Sequence, residues 1–364
     1  MKPVMATVLL AASLCAQSPP DPRKEGPYPV GVTTTVVVDT NRTDHLTGKA
    51  RTLLTEIWYP ADDQARTLPP NRYRDFFPGG FTPEVTALLA GTYRNSPEEV
   101  EKMFWNKAVR DAPVRAGRYP VVIFSHGNGG TRIQNTFWCD HLASHGFIIV
   151  SADHTGNARF TILDGELIRG QGSERQHSAQ DRPKDMSRLL DEMIQWDRGA
   201  DRRFAGRIDT AHAAATGMSF GSYSAIVAAD MDPRFKVVIG MAAAPAAHTN
   251  LNVPSQYWLA RRDKTLGEVG NALISRNYEM HTGPAMLIEL VNGGHYSFTD
   301  MFKLLKRFGD GVGDDFTPMA TTYEIINSYG TAFLGAHLKG QKEYQEFLGS
   351  NPWPGELLVQ HKGP

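Results

Sequence analysis

Cysteine is scarce in this chain: 364 residues carry two, Cys15 and Cys139. A network of disulfide staples is therefore excluded as the source of its stability. An excess of charge is lacking too, because 38 Lys and Arg face 39 Asp and Glu, for a formal net charge of -1. Composition thus gives no argument for nucleic acid or an anionic membrane as partner, and no acidic or basic tail. No apolar run approaches the roughly 20 residues needed to cross a bilayer, so no stable membrane insertion is expected. Internal repeats are absent, and low complexity is confined to the Pro-rich stretch from Ser18 to Pro29. What remains is 41% apolar residues, enough for a sizeable core in one large domain.

The first sixteen residues differ from the rest. Lys2, an apolar run from Val4 to Leu14 and the small Ala16 have the order of a secretory signal peptide. Cleavage after Ala16 predicts a secreted or periplasmic protein consisting of residues 17–364, with Cys139 as its single thiol. Leu14 before Cys15 fits a lipoprotein site poorly. Asn41-Arg42-Thr43 matches a glycosylation acceptor, which matters only in a eukaryotic secretory route.

Val32 to Val38 and Leu53 to Tyr59 read as strands separated by the polar segment Asn41 to Lys49. From about 62 to 118, Arg, Pro and Gly break the pattern, with helical stretches at Pro83–Ala90 and Pro97–Val109; this segment reads as an insertion or cap. Strand-like runs then alternate with helical ones. Val121–Phe124, Phe147–Val150, Ala211–Thr216, Phe235–Ile239, Tyr257–Leu259 and Ala285–Val291 are the strands. A helix ending at Leu142, and those at Asp185–Trp196, Phe220–Ala229 and Tyr323–Leu338, lie between or after them. Such alternation predicts an α/β fold with a mostly parallel sheet covered on both faces, whose site lies beyond the carboxyl ends of the strands. Ala211 to Ala215 is weak by propensity and is read as a strand only from context.

That context is Gly217-Met218-Ser219-Phe220-Gly221. A serine between glycines at a strand-to-helix corner exposes its hydroxyl and aims the following N–H groups at a reacting carbonyl. A neutral serine needs a base and an orienting acid, which in this arrangement follow it in the order acid, then histidine. His295, in Asn292-Gly293-Gly294-His295, follows a strand near the end of the chain; His281, His337 and His361 are less well placed. Asp263 follows the Tyr257–Leu259 strand, with Asp230, Asp232 and Glu268 as alternatives. His126-Gly127-Asn128-Gly129-Gly130 follows an early strand, and the N–H groups of Asn128 and Phe220 are the expected oxyanion donors, with His126 bracing the loop.

Other motifs carry less. His141 and His145 are four residues apart, but no glutamate follows His141 and no third ligand suggests a metal, so they read as packing residues. Gly127 to Gly130 lacks the Lys-Ser/Thr ending of a phosphate loop. Asp153-His154 at a strand end reads as structural. Neither metal nor organic cofactor is expected.

Several segments together resemble the platelet-activating-factor acetylhydrolase-like and dienelactone-hydrolase-related branch of the α/β-hydrolases. They are Val121 to Gly130, Gly146 to Asn157, Gly217 to Gly221, and Gly294-His295-Tyr296-Ser297-Phe298, with Val30-Gly31-Val32 and Glu56-Ile57-Trp58-Tyr59-Pro60 as similar opening strands. The resemblance implies an α/β-hydrolase fold and a serine esterase acting on a short acyl ester through an acyl-enzyme on Ser219. Two departures stand out. Acetylhydrolases of the mammalian type place the acid after the strand following the nucleophile helix, where this chain reads Ile239-Gly240-Met241-Ala242-Ala243-Ala244-Pro245, and dienelactone hydrolases use cysteine as nucleophile. The triad spacing is also similar to that of bacterial cutinase-like polyester hydrolases, which lack such an insertion.

The expected partner is a small-molecule ester; the same triad could serve an acyltransferase, and the scaffold a non-catalytic binding protein. Phe76, Phe77, Phe81, Leu88, Leu89, Met103, Phe104 and Trp105 of the insertion either wall an acyl pocket or seal one edge of the core. Because the base must be neutral, activity is expected to fall below about pH 6–7.

Overall fold

The computed structural model describes residues 18–363 apart from 105, 172–174, 248 and 306–308. The expected signal peptide, residues 1–16, and the side chain of Trp105 lie outside the described residues.

The strands, in chain order, are β1 (Val30–Thr43), β2 (Ala50–Pro60), β3 (Val109–Arg110), β4 (Tyr119–Ser125), β5 (Ile148–Ala152), β6 (Phe160–Leu163), β7 (Glu166–Arg169), β8 (Ile208–Met218), β9 (Phe235–Met241), β10 (Ser255–Ala260), β11 (Ala285–Leu290) and β12 (Leu357–Lys362). The helices are α1 (Pro83–Leu88), α2 (Pro97–Met103), α3 (Thr136–Ser144), α4 (Arg175–Gln195), α5 (Phe220–Met231), α6 (Gly267–Met280), α7 (Phe302–Leu305), α8 (Met319–Leu338) and α9 (Lys342–Leu348). Among the described residues, ten strands form one sheet in the order β12-β11-β10-β9-β8-β4-β5-β2-β1-β3, and β6 and β7 pair separately. From β11 to β5 the neighbours are parallel; β12, β2 and β1 each join antiparallel.

Parallel strands need long crossovers, and helical crossovers cover both faces, so the strands must be apolar on both sides. β4 does this by alternation. Val121 and Ile123 pack with Leu189 of α4, Ile226 of α5 and Ile274 of α6. Val122 and Phe124 pack on the other face with Trp138 of α3 and Phe333 of α8. The Ala-rich stretch is part of β8, whose Ala213, Ala214 and Ala215 are fully buried between β4 and β9. Pairing at the sheet centre overrides weak propensity there.

The structure corrects several boundaries. α4 starts at Arg175 instead of Asp185, because its first turns are polar and show no apolar stripe, although Arg182 and Asp185 are fully buried. The helix expected at Pro97–Val109 stops at Met103, and Val109 and Arg110 instead form β3, parallel to β1. The segment 62–118 is thereby joined to the sheet edge, and Ala61 also bridges to Val114. The β6–β7 hairpin, α9 and β12 had no strong signal: each is short and mixes polar with apolar residues.

Candidate active site

β8 ends in the Ser219 corner. Ser219 has φ 55° and ψ -125°, a conformation that L-residues adopt only under constraint and at a cost of about 1–3 kcal/mol. Its N–H donates to the Met241 carbonyl at the end of β9 (2.7 Å), which fixes the turn. The flanking glycines are required sterically. A Cβ on Gly221 would lie 1.8 Å from the Ser125 carbonyl oxygen, and one on Gly217 would lie 2.3 Å from the Gly221 backbone.

Asp263 follows β10 and His295 follows β11, so β8, β10 and β11, with β9 between β8 and β10, deliver the three side chains to one end of the sheet. His295 Nε2 lies 3.1 Å from Ser219 Oγ, and His295 Nδ1 lies 2.7 Å from Asp263 Oδ2. Asp263 and His295 are both buried, and the second oxygen of Asp263 accepts the N–H of Leu266 (2.7 Å). Nδ1–H is thus the donor to the carboxylate, leaving Nε2 able to accept the serine proton.

Sequence reasoning missed Asp310. One oxygen accepts the N–H groups of His295 (2.9 Å) and Lys264 (3.0 Å), and the other accepts the Thr265 hydroxyl (2.8 Å). The half-buried carboxylate ties the loop of the acid to the loop of the base. A carboxylate in a glycine-rich loop that receives backbone N–H groups leaves no spacing signature.

The His126–Gly130 loop lies against the corner: a Cβ on Gly127 would be 3.4 Å from Ser219 Cβ. Gly127 N–H is already taken by Gln134 Oε1 (2.8 Å). Among the described residues, neither Asn128 N–H nor Phe220 N–H has an internal acceptor, which leaves both free for an incoming oxygen. Asn128 Oδ1 accepts from Asn157 Nδ2 (2.9 Å). His126 donates from Nδ1 to the Gly127 carbonyl (2.7 Å) and accepts the His154 N–H at Nε2 (3.2 Å), which makes it a brace. Burial and the nearby Arg182 hold its pKa well below the ordinary value, so it stays neutral.

Beneath this loop lies a buried ionic network. Asp185 accepts two hydrogen bonds from Arg51 (3.1 and 2.6 Å), one from Arg42 (2.7 Å) and one from His154 Nδ1 (2.9 Å). Although burial opposes ionisation, Arg51 and His154 hold the Asp185 carboxyl below its ordinary value. His154 is pushed down to about 4, mainly by burial. Its Nε2 faces the Ser125 hydroxyl (2.8 Å), so His154 links this network to β4, while Asp153 pairs with Arg132 (2.8 Å).

A cavity of about 640 Å³ lies elsewhere. Phe104, Phe137, Asp140, Asp300 and Tyr323 line it between α3, α8 and the insertion, and Ser219, Asp263 and His295 do not border it. Asp140 and Asp300 are each pushed up to about 7 by burial. Of the insertion's apolar residues, Phe76, Phe77, Leu88, Leu89 and Phe104 belong to the core, with Phe81 and Met103 packed against it. They pack the core edge, and Phe76 and Phe104 also wall this cavity.

His141 and His145 lie with ring centroids 4.7 Å apart, and each bonds a backbone carbonyl, of Pro22 (3.0 Å) and Lys24 (2.8 Å) respectively. They pin the chain between Pro20 and Tyr28 to α3. Among the described residues no group of three or more His, Cys, Asp or Glu is arranged to hold a metal ion. No described helix is long and apolar enough to cross a membrane.

Comparison with known proteins adds to this geometry. The family model described as "Platelet-activating factor acetylhydrolase, isoform II" matches residues 15–164, which include the His126–Gly130 loop and stop before Ser219. The platelet-activating factor acetylhydrolase of Cavia porcellus is 24% identical, over 93% of this chain and 82% of its own. That of Bos taurus is 27% identical over the same shares. Among solved structures, a ferulic acid esterase from Streptomyces cinnamoneus superposes with a TM-score of 0.68 at 24% identity, covering 92% of this chain and 97% of that one.

Proposed function

We propose that this chain, which has the α/β-hydrolase fold and is similar to platelet-activating factor acetylhydrolases over most of its length, is a serine-dependent carboxylic ester hydrolase. The observation that carries the assignment of residues is the continuous hydrogen-bonded relay from Asp263 through His295 to Ser219, set on a strained corner. His295 accepts the Ser219 proton as Oγ bonds to the ester carbonyl carbon. The resulting oxyanion accepts the N–H groups of Asn128 and Phe220, worth roughly 3–4 kcal/mol for one such donor. The intermediate collapses to an acyl-enzyme while His295 passes the proton to the departing alcohol. Water, deprotonated by His295, then attacks the acyl carbon, and Ser219 leaves with the proton returned to its oxygen. Asp263 stabilises the imidazolium in both halves.

The name of the relatives, acetylhydrolases, supports an ester substrate with a short acyl group. The segment before residue 17 supports export with cleavage after Ala16; the mass of protein recovered outside the cytoplasm tests this. For the activity, the test is a panel of esters of graded acyl length with wild type and Ser219→Ala. The expected result is turnover by wild type, highest on short acyl groups, and none above background by the variant. Turnover retained in the variant refutes the assignment of Ser219, and a wild type inert toward every ester favours a binding protein.

A further inference from the structure

The residues that hold the oxyanion loop in place are not in that loop. Arg182 lies on α4, fully buried, with its guanidinium directly behind both expected oxyanion residues. Its Nη1 donates to Asn157 Oδ1 (2.8 Å), and the amide of Asn157 in turn holds Asn128 Oδ1 (2.9 Å). Its Nη2 donates to the Ser125 hydroxyl (2.8 Å) and to the His126 carbonyl, the two residues that lead into the loop. On its other side the guanidinium carbon lies 4.6 Å from the centroid of the Phe220 ring. One planar cation therefore touches the entry to the loop, the residue that anchors Asn128, and the side chain of Phe220.

We infer that Arg182 is the positioning residue of the oxyanion hole, fixing the backbone of Asn128 through Asn157 and that of Phe220 through ring contact. This inference rests on the assignment of Ser219 chemistry above. Three observations favour it over simple core filling. A buried guanidinium is costly unless its donors are satisfied, and Arg182 Nε has no partner. The group makes no direct hydrogen bond to Asp185, the carboxylate nearest in the network, which pairs instead with Arg51, Arg42 and His154. Its bonds go to the loop, where a rigid fork sets geometry better than a flexible ammonium. Burial lowers its pKa to about 9, so the cation persists at neutral pH and its charge favours the developing oxyanion.

The test compares wild type, Arg182→Met, Asn157→Ala and Ser219→Ala on an ester that the wild type turns over. Two readouts are used: the separation of kcat from KM, and the affinity for a trifluoromethyl ketone that forms a tetrahedral adduct on serine. Arg182→Met is expected to lower kcat about 100-fold at nearly constant KM, with a parallel loss of ketone affinity, the range seen when one oxyanion donor is removed. Asn157→Ala, which leaves Arg182 in place, is expected to lower kcat about tenfold with the same parallel loss. A wild-type kcat in a folded Arg182→Met overturns the inference, as does a fall in kcat without weaker ketone binding, or a rise in KM alone. Should Arg182→Met fail to fold, Asn157→Ala decides on the same two readouts. Ser219→Ala separates the two ideas. Turnover surviving there removes the assignment of Ser219; turnover lost there but unaffected in both supporting variants removes only the role of Arg182.

Discussion

Asp185 and Asp300 are buried aspartates on opposite faces of the same sheet, and they resolve their burial in opposite ways. On the α4 face, Asp185 is surrounded by Arg51, Arg42 and His154 and is held ionised. On the α3 and α8 face, Asp300 has one oxygen without a partner and Asp140 nearby, and its carboxyl is pushed up to about 7. Burial disfavours charge in both places; the presence of cations with matched geometry decides the outcome. The ionised face underlies the His126–Gly130 loop, which carries the proposed oxyanion donor Asn128. The face with the suppressed charge borders a cavity that Ser219 does not reach.

The largest expected effect tests the ionised side. Asp185→Ala leaves Arg51, Arg42 and His154 without their shared acceptor and should destabilise the fold by about 3–5 kcal/mol, read from urea unfolding. A loss under about 1 kcal/mol would break the contrast, since it would make Asp185 no more important than a surface ion pair.

A smaller effect is expected at Asp310, the carboxylate between the acid and base loops. Asp310→Ala should lower kcat about tenfold, or about 1.4 kcal/mol, through misplacement of His295, while Asp310→Asn, which keeps the acceptor oxygen for the His295 and Lys264 N–H groups, should lose less. Equal losses would mean that charge, and not loop geometry, is the contribution.

The smallest effect lies on the cavity side. Asp140 and Asp300, with values raised to about 7, stabilise the fold below about pH 4 and lose that contribution as pH rises through 7. His145 and His154 have values lowered to about 4, so their contribution is complete above about 6.5 and is lost as pH falls toward 4. Thermal melts of Asp300→Asn should therefore show a shallower decline than wild type between about pH 4 and 7, with a gain on the order of 1 kcal/mol at the upper end of that window. An unchanged decline would mean that burial does not raise the Asp300 carboxyl above its ordinary value.

The same contrast explains which parts of the molecule could be read from sequence. The Ser219 corner was legible because its requirements are local: two glycines, a serine and a strand-to-helix junction within five residues. Asp263 and His295 were legible because each follows a strand in the order this chemistry needs. Arg182 and Asp185 were not, since charged residues on a helix normally mark its solvated face. Here they point inward to partners such as Arg51, 134 positions away from Asp185, and the missing apolar stripe also hid the start of α4. Gln134 and Asp310 act by receiving backbone N–H groups, a role that any suitably placed acceptor can fill. The central strands followed from their apolar runs, whereas β3, β6, β7 and β12 depend on pairing partners that a single short segment does not reveal.

Cys139 has a practical corollary. It is fully buried on α3, and its thiol is pushed well above the ordinary range, so little of the reactive thiolate forms near neutral pH. In a chain lacking residues 1–16 it is the sole cysteine, and maleimides should leave it untouched while the fold is intact. Val269, 77% exposed at the start of α6 just beyond the Asp263 loop, is then a natural place to introduce a second one. A dye attached through Val269→Cys would give a single-site fluorescent reporter of the motions of the acid loop during turnover, with no background cysteine to remove first.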